Sequence, residues 1–219
     1  MASADALASS TFSGSGVYWG LMPIRTIDFW TISPLLALFV LGLVLLLRRR
    51  GVPAVQFCIA AFCAYLAGVA ALTVFPIVLD RHLVHAMRVD GTTIAQGLNL
   101  VPLKGISAGS YSSSQVAGNF VLGVPFGFGL PFVGVRSSWK VLAWGLLFAL
   151  AIEGAQFALN LAYGFAFRVV DINDVILNFA GVVAGLLAFL LVSAPYRWLG
   201  AGSDRGDGPS YLREVLSTR

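Results

Sequence analysis

The chain has 219 residues, of which 58% are hydrophobic and 11% charged, and its net charge is +4. The mean hydropathy is +0.86. About a quarter of the residues of a soluble domain are charged, so this composition excludes an ordinary soluble protein and predicts a small polytopic membrane protein. No basic patch with interleaved aromatic residues is visible, and we expect no nucleic-acid partner.

Five stretches are apolar and long enough to cross a bilayer, which takes about 20 residues of helix. They cover residues 29–47, 53–79, 115–135, 141–161 and 174–193. The sequence therefore predicts an all-α fold, a transmembrane bundle of about five spans over residues 29–195. Residues 1–28, rich in Ser, Ala and Gly near their start, are expected to form a loose external segment, and residues 196–219 a flexible cytoplasmic tail.

The positions of the basic residues predict the orientation of the bundle. With five spans, nine of the 14 lysines and arginines share a side with the carboxyl terminus, including the run Arg48–Arg50 directly after the first span. We therefore expect the amino terminus outside and the carboxyl terminus in the cytoplasm. A cleaved signal peptide is the competing interpretation of the first span. It is disfavoured because the leading segment is nearly uncharged and the apolar run ends in three arginines.

The longest connection covers residues 80–114, on the predicted outer side. Its hydrophilic part holds His82 and His85 close to Asp80, and two imidazoles with a carboxylate could bind zinc. That spacing is common by chance, and we expect neither a metal nor a cofactor. The apolar piece LNLVPLKGI follows, which is too short to span and suits an interfacial or re-entrant segment.

Polar side chains interrupt the spans on the predicted outer side. Glu153 lies about midway along the fourth span, where a charge is costly, and Gln156 and Asn160 continue the same helix face. Asn119 opens the third span from the outer side, and Asn99 precedes it in the external connection. The predicted topology alone sets these groups at a shared depth.

The sequence RVVDINDVILN, residues 168–178, leads into the fifth span. On a helix, Arg168, Asp171, Asp174 and Asn178 would fall within an arc of about 120°. Charged groups at the edge of a bilayer need a partner or water, so this stripe is a candidate functional site. The full candidate set is Asn99, Asn119, Glu153, Gln156, Arg168, Asp171, Asp174 and Asn178, and no catalytic residue is assigned.

Structural roles for the same residues stay open. Glu153 could hydrogen-bond a neighbouring helix and only hold the bundle together. Asp174 could cap the amino terminus of the fifth helix. An ion pair of Arg168 with Asp171 or Asp174 could serve stability alone.

Small residues recur at four-residue spacing in two of the spans. Gly123 with Gly127 in the third span, and Gly181 with Gly185 in the fifth, would let two helices approach closely. We expect this contact to draw the third and fifth spans together and to bring Asn119 near Asp174.

Five short motifs resemble the VanZ-like membrane protein family, which is named for an accessory teicoplanin-resistance protein. The resemblance covers roughly residues 60–192 and agrees in order and approximate spacing. Its motifs are TVFP at 73–76, NLVP at 99–102, NFVLGVPFGFGLP at 119–131, EGAQ at 153–156 and RVVDINDVILNFAG at 168–181.

The resemblance implies a protein of the bacterial cell membrane that influences glycopeptide sensitivity. Its expected partners are membrane lipids, with an anionic envelope lipid or a glycopeptide carboxylate held by Arg168. One alternative is an enzyme that acts on a lipid-linked precursor, with Glu153 or Asp174 as base. Another is a small transporter or flippase coupled to protons through Glu153. An enzyme would leave altered lipid in vesicles, whereas a transporter would move intact substrate with a pH gradient. Neither the ligand nor the oligomeric state follows from the sequence.

The orientation can be tested by cysteine labelling. We expect Ser9→Cys to react with a membrane-impermeant maleimide in intact cells and Ser217→Cys to react only after permeabilisation, in a background with Cys58 and Cys63 changed to serine. Labelling of residue 217 from outside intact cells would refute the predicted topology.

Overall fold

The structure, a computed structural model, describes residues 26–28, 33–34, 37–42, 45, 53–104, 112–200 and 215–216. The first predicted span is therefore described only in part, and its described residues are helical. The predicted external segment, except for its last three residues, and most of the predicted tail beyond residue 200 also lie outside them.

Four described helices are long and apolar enough to cross a membrane. They are α1 at Pro53–Thr73, α3 at Ser113–Gly129, α4 at Ser138–Tyr163 and α5 at Ile172–Gly200. A short 3₁₀ helix, Leu130–Val133, continues α3. These helices confirm the predicted all-α membrane bundle, and the number of spans and their orientation stay predictions.

The connections between the spans also carry structure. The helix α2, Arg81–Asp90, begins after Asp80, whose carboxylate accepts hydrogen bonds from the two backbone N–H groups of His82 and Leu83. Four two-residue strands form two separate pairs. They are β1 at Thr26–Ile27 with β2 at Ile77–Val78, and β3 at Leu98–Asn99 with β4 at Val170–Asp171.

The second predicted span is too long, because helix α1 ends at Thr73 and not at residue 79. Pro76 has no backbone N–H and disfavours a helical conformation in the residue before it. The chain then enters β2, which pairs antiparallel with β1. This pairing places Ile27 at the same end of the bundle as the carboxyl end of α1.

Helices α3 and α5 run parallel and touch through their backbones at the glycines. A Cβ atom on Gly123 would lie 2.0 Å from the carbonyl oxygen of Asn178, and one on Gly181 would lie 2.0 Å from that of Phe120. Gly127 and Gly185 make equally close approaches one turn further along. The predicted small-residue contact between these spans is confirmed.

Helix α4 runs antiparallel to α5 and closes the bundle. Gly145 faces Val182 near one end of the contact, and Glu153 meets Asp171 at the other. The apolar core between α3, α4 and α5 is formed by Phe126, Leu130, Val141, Val182 and Leu186. Polar side chains, among them Glu153, Asp171 and Asn178, lie toward the opposite end of these helices. We call this the polar end.

The closest glycine contacts generate a stability prediction. We expect Gly123→Ala to destabilise the protein by about 1–3 kcal/mol or more, because the added methyl group overlaps backbone that cannot rotate away. Gly118→Ala is the matched control on the same helix, since nothing lies within 4 Å of its Cβ position. Thermal denaturation of both variants in detergent measures the difference, and equal melting temperatures would contradict the close approach.

Candidate functional site: the polar end of the bundle

The polar end is organised around Asp171, the last residue of β4. Strands β3 and β4 pair in parallel and set Asn99 opposite Asp171. The Asn99 side chain donates to the Asp171 carboxylate at 2.8 Å, and the other carboxylate oxygen accepts from the backbone N–H of Asn173, also at 2.8 Å. Because α5 begins at Ile172, Asp171 occupies the amino-terminal capping position that the sequence suggested for Asp174.

Glu153 binds the backbone of Asp171. Its buried carboxylate accepts the backbone N–H of Asp171 at 2.9 Å. The contact joins the middle of α4 to the start of α5, so the expected bond to a neighbouring element is present. The carboxylate therefore satisfies a buried backbone donor that would otherwise cost about 1–3 kcal/mol.

Two further side chains on the face of α4 that carries Glu153 also bind backbone groups. Asn160 is fully buried and brackets Arg168, accepting from its N–H and donating to its carbonyl oxygen, both at 2.7 Å. Gln156 donates to the carbonyl oxygen of Thr73 at 3.2 Å. That carbonyl belongs to the last turn of α1, whose final carbonyls lack partners within the helix.

Arg168 does not make the ion pair that the sequence suggested. Its terminal nitrogen Nη2 donates to the carbonyl oxygen of Phe75 at 2.8 Å, and its guanidinium carbon lies 5.3 Å from the centre of the Phe167 ring. Its Nε is buried and has no hydrogen-bond partner among the described residues. Burial lowers the pKa of the Arg168 guanidinium below its ordinary value.

Asn173 and Asn178 on α5 are fully buried and only partly satisfied. The Asn173 side-chain oxygen accepts from the N–H of Leu103, and the Asn178 amide donates to the carbonyl oxygen of Asp174 at 2.8 Å. The Asn173 Nδ2 and the Asn178 Oδ1 have no partner in the described part of the chain. With the Nε of Arg168, three buried polar atoms at this end are left for water or a ligand.

Asn119 lies on α3, half-buried, at the polar end of its helix. The register in which Gly123 meets Asn178 sets Asn119, one turn earlier, level with Asp174. The described residues include no hydrogen bond between Asn119 and the rest of the cluster.

The single helical stripe predicted for residues 168–178 is wrong. Arg168 lies in the connection and Asp171 in β4, so only Asp174 and Asn178 share a face of α5. The cause is the pairing of β4 with β3, which extends the backbone just where the sequence pattern allows a helix. The side chains still converge, but through a strand, a turn and three helices.

Sequence reasoning missed three residues that build this end. Asn160 lies on the predicted helix face of Glu153 but has no predicted role, and Asn173 lies outside the predicted stripe. Tyr163, the last residue of α4, is the third. Its hydroxyl donates to the carbonyl oxygen of Val78 at 2.9 Å and accepts from the N–H of Val78 at 2.8 Å, which fastens β2 to the end of α4. The position of Asn160 seven residues after Glu153 was the one available signal.

The comparisons with known proteins agree with the motif positions. A family model described as VanZ/LLP1 matches residues 62–193. No curated protein and no solved structure matches the chain. The match includes every residue of the polar cluster from Asn99 to Asn178.

The bond between Glu153 and Asp171 predicts the effects of two substitutions. Glu153→Gln keeps an oxygen that can accept the Asp171 N–H and should preserve folding. Glu153→Leu leaves that N–H buried and unpaired, which should lower the free energy of unfolding by about 1–3 kcal/mol. Denaturation in detergent measures both, with Ala158→Leu on the exposed face of α4 as control. Equal stability of the Leu variant would show that this bond contributes nothing.

Proposed function

The chain belongs to the VanZ/LLP1 family, whose model matches more than half of its length, and on that premise we propose that it binds an anionic group at its polar end. In this proposal it is a multi-pass protein of the bacterial cell membrane. Its ligand is the headgroup of an envelope lipid or the carboxylate of a glycopeptide. Binding changes the sensitivity of the cell to glycopeptides such as teicoplanin.

The observation that carries the proposal is that Arg168 is partly buried without an acidic partner among the described residues. A guanidinium that is partly removed from water, and faces no acid among the described residues, retains a charge that costs several kcal/mol unless an anion neutralises it. One carbonyl oxygen and one aromatic ring are its observed contacts. Neither carries the full negative charge that a phosphate or carboxylate would bring.

The shape of the guanidinium supports an anionic ligand further. With Nη2 on Phe75, the buried Nε still has an unused N–H. Arginine binds phosphate and carboxylate through a planar fork that lysine lacks. The two hydrogen bonds from the Asn160 side chain fix the backbone of Arg168. Less conformational entropy would therefore be lost when the arginine binds a ligand.

The hydrogen bonds of the acids favour binding over catalysis. Glu153 accepts a backbone N–H, and Asp171 accepts both a backbone N–H and the Asn99 amide. A general base has to reach a substrate proton, and these carboxylates are instead occupied with the start of α5. The proposal therefore assigns them to positioning the segment that presents Arg168.

The proposal predicts that Arg168→Lys loses most of the effect on teicoplanin sensitivity while protein abundance stays close to that of wild type. Purified wild-type protein in detergent should gain thermal stability when phosphatidylglycerol is added, and the variant should gain much less. Phosphatidylcholine, which carries no net charge, gives the baseline. The measurements are the inhibitory concentration in cells, the membrane abundance and the melting temperature.

Arg81→Lys is the matched control, because Arg81 lies exposed at the start of α2. It should behave as wild type in all three measurements. If Arg168→Lys keeps full activity per molecule, Arg168 does not grip an anion and the proposed role is withdrawn. If activity falls only in proportion to abundance, the arginine serves folding alone.

A further inference from the structure

Four consecutive apolar residues, Leu100 to Leu103, lie exposed beside the polar cluster. We call them the LVPL turn. Leu100 is 67% exposed, Val101 55% and Leu103 56%, and Pro102 between them is also exposed. Such a run on a small loop costs free energy in water, at about 25 cal/mol per Å² of apolar surface.

The LVPL turn is held firmly at both ends. Before it, Asn99 is paired with Asp171 through β3 and β4. At its last residue, the N–H of Leu103 donates to the buried side chain of Asn173. Both anchors belong to the start of α5, so the turn is fastened directly to the cluster that contains Arg168.

The backbone of Leu103 has an unfavourable conformation, so the surrounding contacts must hold the turn in this shape. Its φ is 63°, in the left-handed region that leucine rarely adopts. This conformation costs roughly 1–2 kcal/mol for a residue with a branched side chain. The bond to Asn173 holds the strained residue in place, and Leu103 stays more than half exposed.

The depth of the turn follows from its anchors. Asp171 and Asn173, to which it is tied, lie just before and in the first turn of the helix whose apolar span is Ile172–Pro195. The LVPL turn therefore lies beside the end at which that apolar span begins. Val169, next to Arg168, is also 66% exposed, so apolar surface flanks the arginine along the chain as well.

We propose that the LVPL turn inserts among the acyl chains of the adjoining leaflet and seats the tail of a membrane lipid whose anionic headgroup reaches Arg168. This inference rests on the proposed function and deepens it. It selects an amphiphile that enters sideways from the bilayer over a water-soluble glycopeptide. The occupant is lipid because the surface is apolar, lies beside the start of an apolar span and is tied through Asp171 and Asn173 to the segment that carries the partly buried Arg168.

The depth of the turn is measured with a fluorescent label at a single cysteine. In the full chain with Cys58 and Cys63 changed to serine, Val101→Cys carries nitrobenzoxadiazole in vesicles of phosphatidylcholine and phosphatidylglycerol. We expect quenching by lipid with a doxyl group on its fifth carbon, as for Leu187→Cys on the exposed face of α5. His82→Cys on α2 should be quenched by aqueous iodide instead. If Val101→Cys follows His82→Cys, the proposal is overturned.

The role in lipid binding is measured with phosphatidylglycerols of two chain lengths. Leu100→Ser with Val101→Ser should weaken the thermal stabilisation by long-chain phosphatidylglycerol roughly tenfold in concentration. Stabilisation by the dihexanoyl form, which has the same headgroup, should change little. Leu103→Asn gives a second variant that keeps the fold, because asparagine tolerates a positive φ.

The outcomes separate this inference from the proposed function. If the turn lies in lipid but the serine variants bind long-chain lipid as wild type does, the turn is only an anchor and the seating role is overturned. If the serine variants weaken binding while Arg168→Lys does not, the lipid-seating role stands and the anion grip at Arg168 fails.

Discussion

The polar end depends on the hydrogen bond that Glu153 accepts from the backbone of Asp171. This bond fixes where the extended segment stops and α5 begins. The carboxylate of Asp171 then caps α5 and binds Asn99, which ties the long connection between α1 and α3 to the same point. Without the bond, a buried N–H would be left unpaired at the junction of three elements, at a cost of about 1–3 kcal/mol.

The motifs that suggested the family contact one another in space. The α4 motif reaches the end of α1 through Gln156 and Thr73, and the α5 motif reaches it through Arg168 and Phe75. Most of these polar side chains bind backbone groups, which is a structural role. Arg168 also binds a backbone carbonyl oxygen, but its charged guanidinium keeps a buried N–H without a partner in the described part of the chain. Asn173 and Asn178 also keep one unpaired buried atom each in that part of the chain, so the buried polar atoms left over lie together with the arginine at the polar end.

The glycine contact between α3 and α5 links the apolar core to the polar end. At these glycines the backbones of α3 and α5 are in contact over two turns. The contact reaches Asn178, one turn after Asp174. In a membrane, where apolar side chains gain little from leaving lipid, such close backbone packing supplies much of the association between helices. A methyl group added in that contact would therefore disturb the start of α5 as well as the core.

The sequence by itself determined the membrane class, four of the spans to within a few residues at most ends, the glycine contact and many of the polar residues at the polar end, although not Asn160, Asn173 or Tyr163. These features depend on composition and on local periodicity, which a single sequence carries. The tertiary structure alone decided that Asp171 lies in a strand and caps α5, that Asn160 binds the Arg168 backbone on both sides, and that Arg168 binds a carbonyl oxygen and no acid of the described residues. Each of these depends on a partner that tertiary folding places there, such as Asn99, 72 residues before Asp171. Local pattern cannot specify such partners, because a backbone group bonds to whichever donor or acceptor the packed helices bring within reach.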